Sequence, residues 1–92
     1  MGDWTFLTNH AAVLLCVAEE PRVLVRDIAK RVAITERATQ RILGDLVEAG
    51  YVERIREGRR NVYEIHPEMP MRRAEFRNQS VGALIAAMIA AR

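Results

Sequence analysis

Between residues 34 and 65 the apolar positions change their period, and that change limits what the segment can become. Ala38, Ile42, Leu46 and Ala49 recur every three to four residues, with Leu43 beside them, and Gly50 ends the run. From Tyr51 onward "YVERIRE" and "NVYEIH" alternate between faces on either side of "GRR". Spacing of three to four marks one face of a helix, and spacing of two marks one face of a strand. The chain therefore predicts an amphipathic helix from Thr35, stopped by Gly50, and a β-hairpin directly after it with its turn at Gly58. Val52, Ile55, Val62 and Ile65 are the expected core side of the hairpin, and Pro67 and Pro70 close it off.

Upstream, "TNHAAVLLCVAE" (residues 8–19) predicts a first helix capped by Thr8, with Pro21 just beyond its end. From Ala11 to Ala18 it is apolar on every side, so it must be covered on every side. "RVLV" (residues 22–25) has the composition of a short strand. In "RDIAKRVA", from Arg26, the residues Ile28, Ala29 and Val32 share one helical face. This short helix and the amphipathic one after it, joined by a tight turn, make a helix-turn-helix pattern. The tail from Arg72 to Arg92 returns to helical spacing, with Val81, Leu84, Ile85, Met88 and Ile89 on one apolar face.

Composition removes several classes of function. The 92 residues are half hydrophobic and 28% charged, which suits one soluble globular domain with a lean core. The lone Cys16 sits in "AAVLLCVA", which argues against a disulfide-stapled secreted fold and for a reducing cytoplasm; as a small core residue it has no basic neighbour in sequence to activate it. "MGDWTFLTNH" has no basic region and does not resemble a secretion signal. The stretch "VGALIAAMIAA" falls short of the roughly 20 residues that cross a bilayer. His10 and His66 have no second cysteine or acidic residue at ligand spacing, so no metal and no cofactor is expected. No phosphate-binding glycine loop, nucleophile elbow or carboxylate constellation points to an enzyme. Of the 14 basic residues all but Lys30 are arginine, whose planar fork suits phosphates and guanine edges.

In its order and spacing, "LVRDIAKRVAITERATQRILGDLVEAGYVERIREGRRNVYEI" (residues 24–65) resembles the winged helix-turn-helix of bacterial and archaeal transcriptional regulators, nearest the small MarR-like and ArsR-like groups. "IAKRVAIT" resembles the second helix and turn, "ERATQRILGDLVEAGYVER" the recognition helix leading into the hairpin, and "EGRRNVYEI" the wing. The resemblance implies a mainly α fold in the order α-β-α-α-β-β-α. It implies one domain over residues 1–92, with a winged-helix core at 8–70 and a C-terminal dimerisation helix at 71–92. The paired cysteines of the usual ArsR-like metal sensor are missing, and a separate ligand domain is not expected.

The resemblance also implies a use for the polar helix face. Arg37, Gln40 and Arg41 point away from the apolar stripe, and in the major groove Arg can pair with guanine and Gln with adenine. Thr35, Glu36 and Thr39 lie near the helix start, where hydroxyls and amides meet phosphate or a base edge and Glu36 caps the helix or accepts from cytosine. Gly44, in mid-helix on the same side, reads either as a site of close backbone approach or as a tolerated defect. Over residues 53–60 four arginines oppose two glutamates; Arg59, Arg60 and Asn61 form the wing tip, with Arg54 and Arg56 on the strand before it. Such a tip reaches phosphate or the minor groove. Arg26 is a further phosphate candidate, and Arg72, Arg73 and Arg77 read as a solvated basic stretch.

For the tail, Val81, Leu84, Ile85, Met88 and Ile89 are the expected dimer face, with an intramolecular cap on the core as the alternative, and Gly82, Ala86 and Ala90 form a small-residue stripe that would let another helix approach closely. Trp4 and Phe6 are expected to anchor the N-terminal arm or, in a dimer, to line an effector pocket. The expected function is a cytoplasmic, homodimeric, sequence-specific regulator on double-stranded DNA, a repressor at a palindromic operator with half-sites roughly 34 Å apart. The alternative is a winged-helix module that docks a protein.

Overall fold

The computed structural model of the protein describes residues 2–90, the last of them without its side chain. Four α-helices and one hairpin follow in the order α1 (Asn9–Glu19), α2 (Val25–Val32), α3 (Glu36–Glu48), β1 (Val52–Glu57), β2 (Arg60–Ile65) and α4 (Val81–Ala90), with a 3-10 turn at Ala74–Phe76. The mainly α winged-helix class is as expected. Within it, residues 22–25 are not a strand. The Tyr63 N–H donates to the carbonyl of Pro21, just before them, at 2.9 Å, and Leu24 and Val25 are drawn into the start of α2. Of the C-terminal helix expected at 71–92, the described residues are helical only over Val81–Ala90, because residues 67–80 run as loop and 3-10 turn.

The helix ends follow from the sequence. Thr8 and Thr35 cap α1 and α3, their hydroxyls accepting from Ala11 N–H at 3.1 Å and Ala38 N–H at 3.0 Å. At the end of α3, Tyr51 N–H reaches Leu46 O and Gly50 N–H reaches Val47 O, with Gly50 at φ +88°, which is a Schellman motif. Helix α2 ends the same way through Ile34 N–H to Ala29 O, but its left-handed residue is Ala33 at φ 64°, in place of a glycine.

Helix α1 packs against α2, α3, β2 and α4 and buries Val13, Leu14, Cys16 and Val17, but Ala11, Ala12, Leu15 and Ala18 stay half-exposed, so the expected cover on every side is incomplete. Val13, Val17, Ile28, Leu43 and Val52 are the most deeply buried apolar side chains, joined by Val23, Ile42, Leu46, Tyr51, Tyr63 and Val81. The hairpin register puts Val52 opposite Ile65 and Arg54 opposite Tyr63, while Ile55 faces Val62. Val52 and Ile55 are an odd number of residues apart, so they point to opposite faces. The core side therefore consists of Val52, Tyr63 and Ile65, and the Ile55–Val62 pair lies half-buried on the outer side, a correction to the four-residue apolar face.

Three further expectations are affected. Val81 is 4% exposed and belongs to the core of its own chain, so it is not free to form a dimer face, while Ile85 is half-buried beside that core. Gly82 is small because its own chain needs the room: a Cβ there would stand 2.8 Å from the Pro67 carbonyl oxygen. The Ala90 side chain of the same stripe lies outside the described residues. Trp4 and Phe6 stack edge to face, 5.0 Å apart, at 73% and 92% exposure, so neither enters the core among the described residues.

Candidate nucleic-acid interface

Helix α3 divides its circumference between core and solvent. Thr39, Ile42, Leu43 and Leu46 are buried, and at the same spacing on the other side Arg37, Gln40, Arg41 and Gly44 face outward. Arg37, Gln40 and Arg41 are exposed, and neither arginine has a carboxylate partner among the described residues. Thr39 does not belong with them. It is fully buried, and its hydroxyl donates to Thr35 O at 2.9 Å within its own helix, so it cannot touch a partner. Thr35 is exposed, with its hydroxyl oxygen already accepting the capping bond. Glu36, in the first turn, is exposed at the positive end of the helix. At Gly44 a Cβ would meet nothing within 4 Å, so nothing in this chain requires a glycine there.

The wing is a two-residue turn between Glu57 and Arg60, made by Gly58 at φ +61° and Arg59. Glycine at the first of two central positions is what a hairpin turn of this hand favours. Arg56 braces the turn, its Nε donating to Gly58 O at 3.0 Å. Arg59 and Arg60 are exposed and form no ion pair among the described residues, and Asn61 is half-buried. Arg54 rests its guanidinium 5.9 Å from the centre of the Tyr63 ring while remaining exposed. Arg26 is exposed near the start of α2.

Two of the hairpin's three glutamates are paired internally, and Glu64 on β2 is exposed. Glu57 accepts from Arg22 at 2.6 Å, and Glu53 lies 3.5 Å from His66 Nε2. The Arg22–Glu57 pair spans 35 residues, and no local pattern in the sequence announces it. The other paired cations, Arg31 with Glu19 and Arg73 with Glu75, lie off α3 and the wing. Among the described residues, arginines without an ion pair lie on the outward face of α3, along the wing and at the start of α2, and also at Arg72 and Arg77 in the segment between the wing and α4.

A profile of the MarR family matches residues 5–60, well over half of the chain. The protein belongs to the MarR family. At that level it is a winged-helix, DNA-binding transcriptional regulator, and α2, α3 and the hairpin are the helix-turn-helix and wing of that fold. Solved structures share the fold at low identity. A predicted DNA-binding transcriptional regulator from E. coli is 18% identical at a TM-score of 0.63, over 89% of this chain and 75% of that one. The PcaV transcriptional regulator from Streptomyces coelicolor, solved with its natural ligand, is 19% identical at 0.59, over 94% of this chain and 62% of that one. RV1404 from Mycobacterium tuberculosis is 16% identical at 0.58, over 96% and 58%. The MarR chain described here thus spans about three fifths of the length of the last two. No curated protein matches it.

Away from the outward face of α3, the MarR fold encloses an open groove of about 840 Å³, lined by Leu14, Leu46, Tyr51, Phe76, Val81 and Leu84. A His10–Asp45 contact at 2.8 Å, between α1 and α3, lies at its edge. No group of three or more His, Cys, Asp or Glu side chains among the described residues is arranged to hold a metal, and no helix among them is long and apolar enough to cross a membrane.

Proposed function

We propose that the protein is a sequence-specific regulator that acts as a cytoplasmic homodimer on a palindromic duplex and represses by occupying its promoter. One observation carries the reading: Arg37, Gln40 and Arg41 share one exposed face of α3 without carboxylate partners among the described residues, while Glu57 beside the wing tip is paired with Arg22. Arginines withheld from internal ion pairs are available for phosphates and guanine edges. In this reading α3 lies in the major groove. Arg37 and Arg41 read guanine, Gln40 reads adenine, and Thr35 and Glu36 meet the strand at the helix start. Gly44 allows close approach further along the groove. Arg59 and Arg60 at the wing tip, with Asn61 and Arg54 behind them, engage the minor groove or its phosphates, and Arg26 adds a phosphate contact.

Residues 8–70 form the DNA-binding unit in this proposal, and α4 joins two copies. Support for the dimer comes from what α4 leaves uncovered once Val81 and Ile85 have packed: Leu84, Met88 and Ile89, with Phe76 nearby at 51% exposure. The test is selection of random-sequence duplexes by the purified protein at near-physiological salt. An enriched palindrome is the expected result. Arg41→Ala or Gln40→Ala then relaxes preference at one position by about 1–3 kcal/mol. Arg59→Ala with Arg60→Ala weakens all duplexes alike and lowers the slope of log affinity against log salt by about 2. Recognition-helix variants that leave the preference unchanged sink the residue assignment. Complete failure to retain DNA favours a protein-docking module instead.

A further inference from the structure

His66 follows the last residue of β2, and its ring reaches back to the junction of α3 with β1. Nδ1 lies 2.9 Å from the carbonyl oxygen of Gly50, the residue that ends α3, and Nε2 lies 3.5 Å from a carboxylate oxygen of Glu53, the second residue of β1. The backbone N–H of His66 donates to Tyr51 O at 2.9 Å, so the ring lies directly over the base of the wing. Both ring nitrogens face acceptors. A neutral imidazole has one N–H and one lone pair and satisfies only one of them, whereas the imidazolium donates to both. The charged groups acting on the ring are Glu53 from β1 and Glu68 from the loop after β2, both acidic, and the carbonyl end of α3 adds the negative pole of its dipole. The Gly50 carbonyl first, then Glu53 and Glu68, hold the His66 pKa above its ordinary value of 6.5.

We propose that His66 is a proton-operated clamp that fixes the angle between α3 and the wing, tying Glu53 to the end of α3 when protonated and releasing it when neutral. The proposal rests on the DNA-binding reading above. A duplex that touches helix and wing together binds better when the two are held in register in advance. His66 is a positioning residue in this scheme and touches no base. The sign follows from the raised pKa: the clamp is fully engaged below about pH 6.5 and is lost as the pH rises through the folded-state value.

The test measures affinity of the full chain for the selected duplex at pH 6 and pH 8 and fixed ionic strength. Wild-type protein is expected to bind about five- to tenfold more tightly at pH 6, a coupling of ordinary size between two sites. His66→Gln and Glu53→Gln should each remove most of that difference, and His10→Gln should keep it. If His66 instead donated directly to phosphate, Glu53→Gln would leave the pH dependence intact, and that result overturns the clamp. An unchanged pH dependence in His66→Gln overturns it too. NMR titration of the His66 ring in the DNA-free protein decides the geometry independently: a pKa above the ordinary value that falls in Glu53→Gln supports the clamp, and an ordinary value in both proteins overturns it. Absence of binding at every pH overturns the DNA-binding reading, and the ring titration still reports on the clamp alone.

Discussion

The same substitution, glycine to alanine, should have opposite effects in α3 and α4. Helix α4 docks through its first turn, where Val81 N–H donates to Met69 O at 2.8 Å and Gly82 N–H to Pro67 O at 2.9 Å. A Cβ on Gly82 would stand 2.8 Å from that same oxygen and 2.9 Å from the Pro67 Cβ, inside contact distance of a backbone atom that cannot swing aside. Forcing an extra carbon into a packed site costs about 1–3 kcal/mol, and displacing the helix end weakens a hydrogen bond with a net value of about 1 kcal/mol. The better helix propensity of alanine returns at most about 1 kcal/mol. Gly82→Ala should therefore destabilise by about 1–2 kcal/mol, lowering Tm by roughly 5–15 °C for a chain of this size. At Gly44 a Cβ meets nothing within 4 Å, so Gly44→Ala keeps the propensity gain and stabilises by up to about 1 kcal/mol. Urea unfolding followed by far-UV circular dichroism measures both, at one protein concentration because subunit association contributes to apparent stability. A Gly82→Ala protein as stable as wild type would refute the docking of α4 against Pro67.

Two other substitutions test local features. Ala33 ends α2 in a left-handed conformation that costs a non-glycine residue about 1–2 kcal/mol, so Ala33→Gly should stabilise by roughly 0.5–1 kcal/mol after the added unfolded-state entropy, read as a higher urea midpoint. Thr39→Val removes a buried hydroxyl whose acceptor, Thr35 O, still receives the Thr39 N–H at 3.0 Å. It should cost about 1 kcal/mol or less in the same assay and leave affinity for the selected duplex unchanged, whereas a loss of affinity would return Thr39 to the interface.

Most of the architecture was legible because it is local. Thr8, Thr35 and Gly50 mark helix ends through hydrogen bonds with residues a few positions away, and the change from helical to alternating spacing after Gly50 places the wing. Thr39 was legible too, since it shares the i, i+3, i+4, i+7 stripe with Ile42, Leu43 and Leu46; a polar side chain on a buried stripe obscured it. The hairpin faces were misread because Val52 and Ile55 are both apolar yet of opposite parity, and pairing with Tyr63 decides which one enters the core.

By itself the sequence determined the helix-turn-helix with its wing, the outward polar face of α3 and the arginine tip, because periodicity and caps depend on neighbours along the chain. Only the tertiary structure decided that Val81 is core, that Gly82 makes room for Pro67, that Arg22 neutralises Glu57 and that His66 bridges Gly50 and Glu53. Each of those depends on atoms brought together from separate parts of the chain, and packing selects such pairs by geometry, for which residue type along the sequence is no guide.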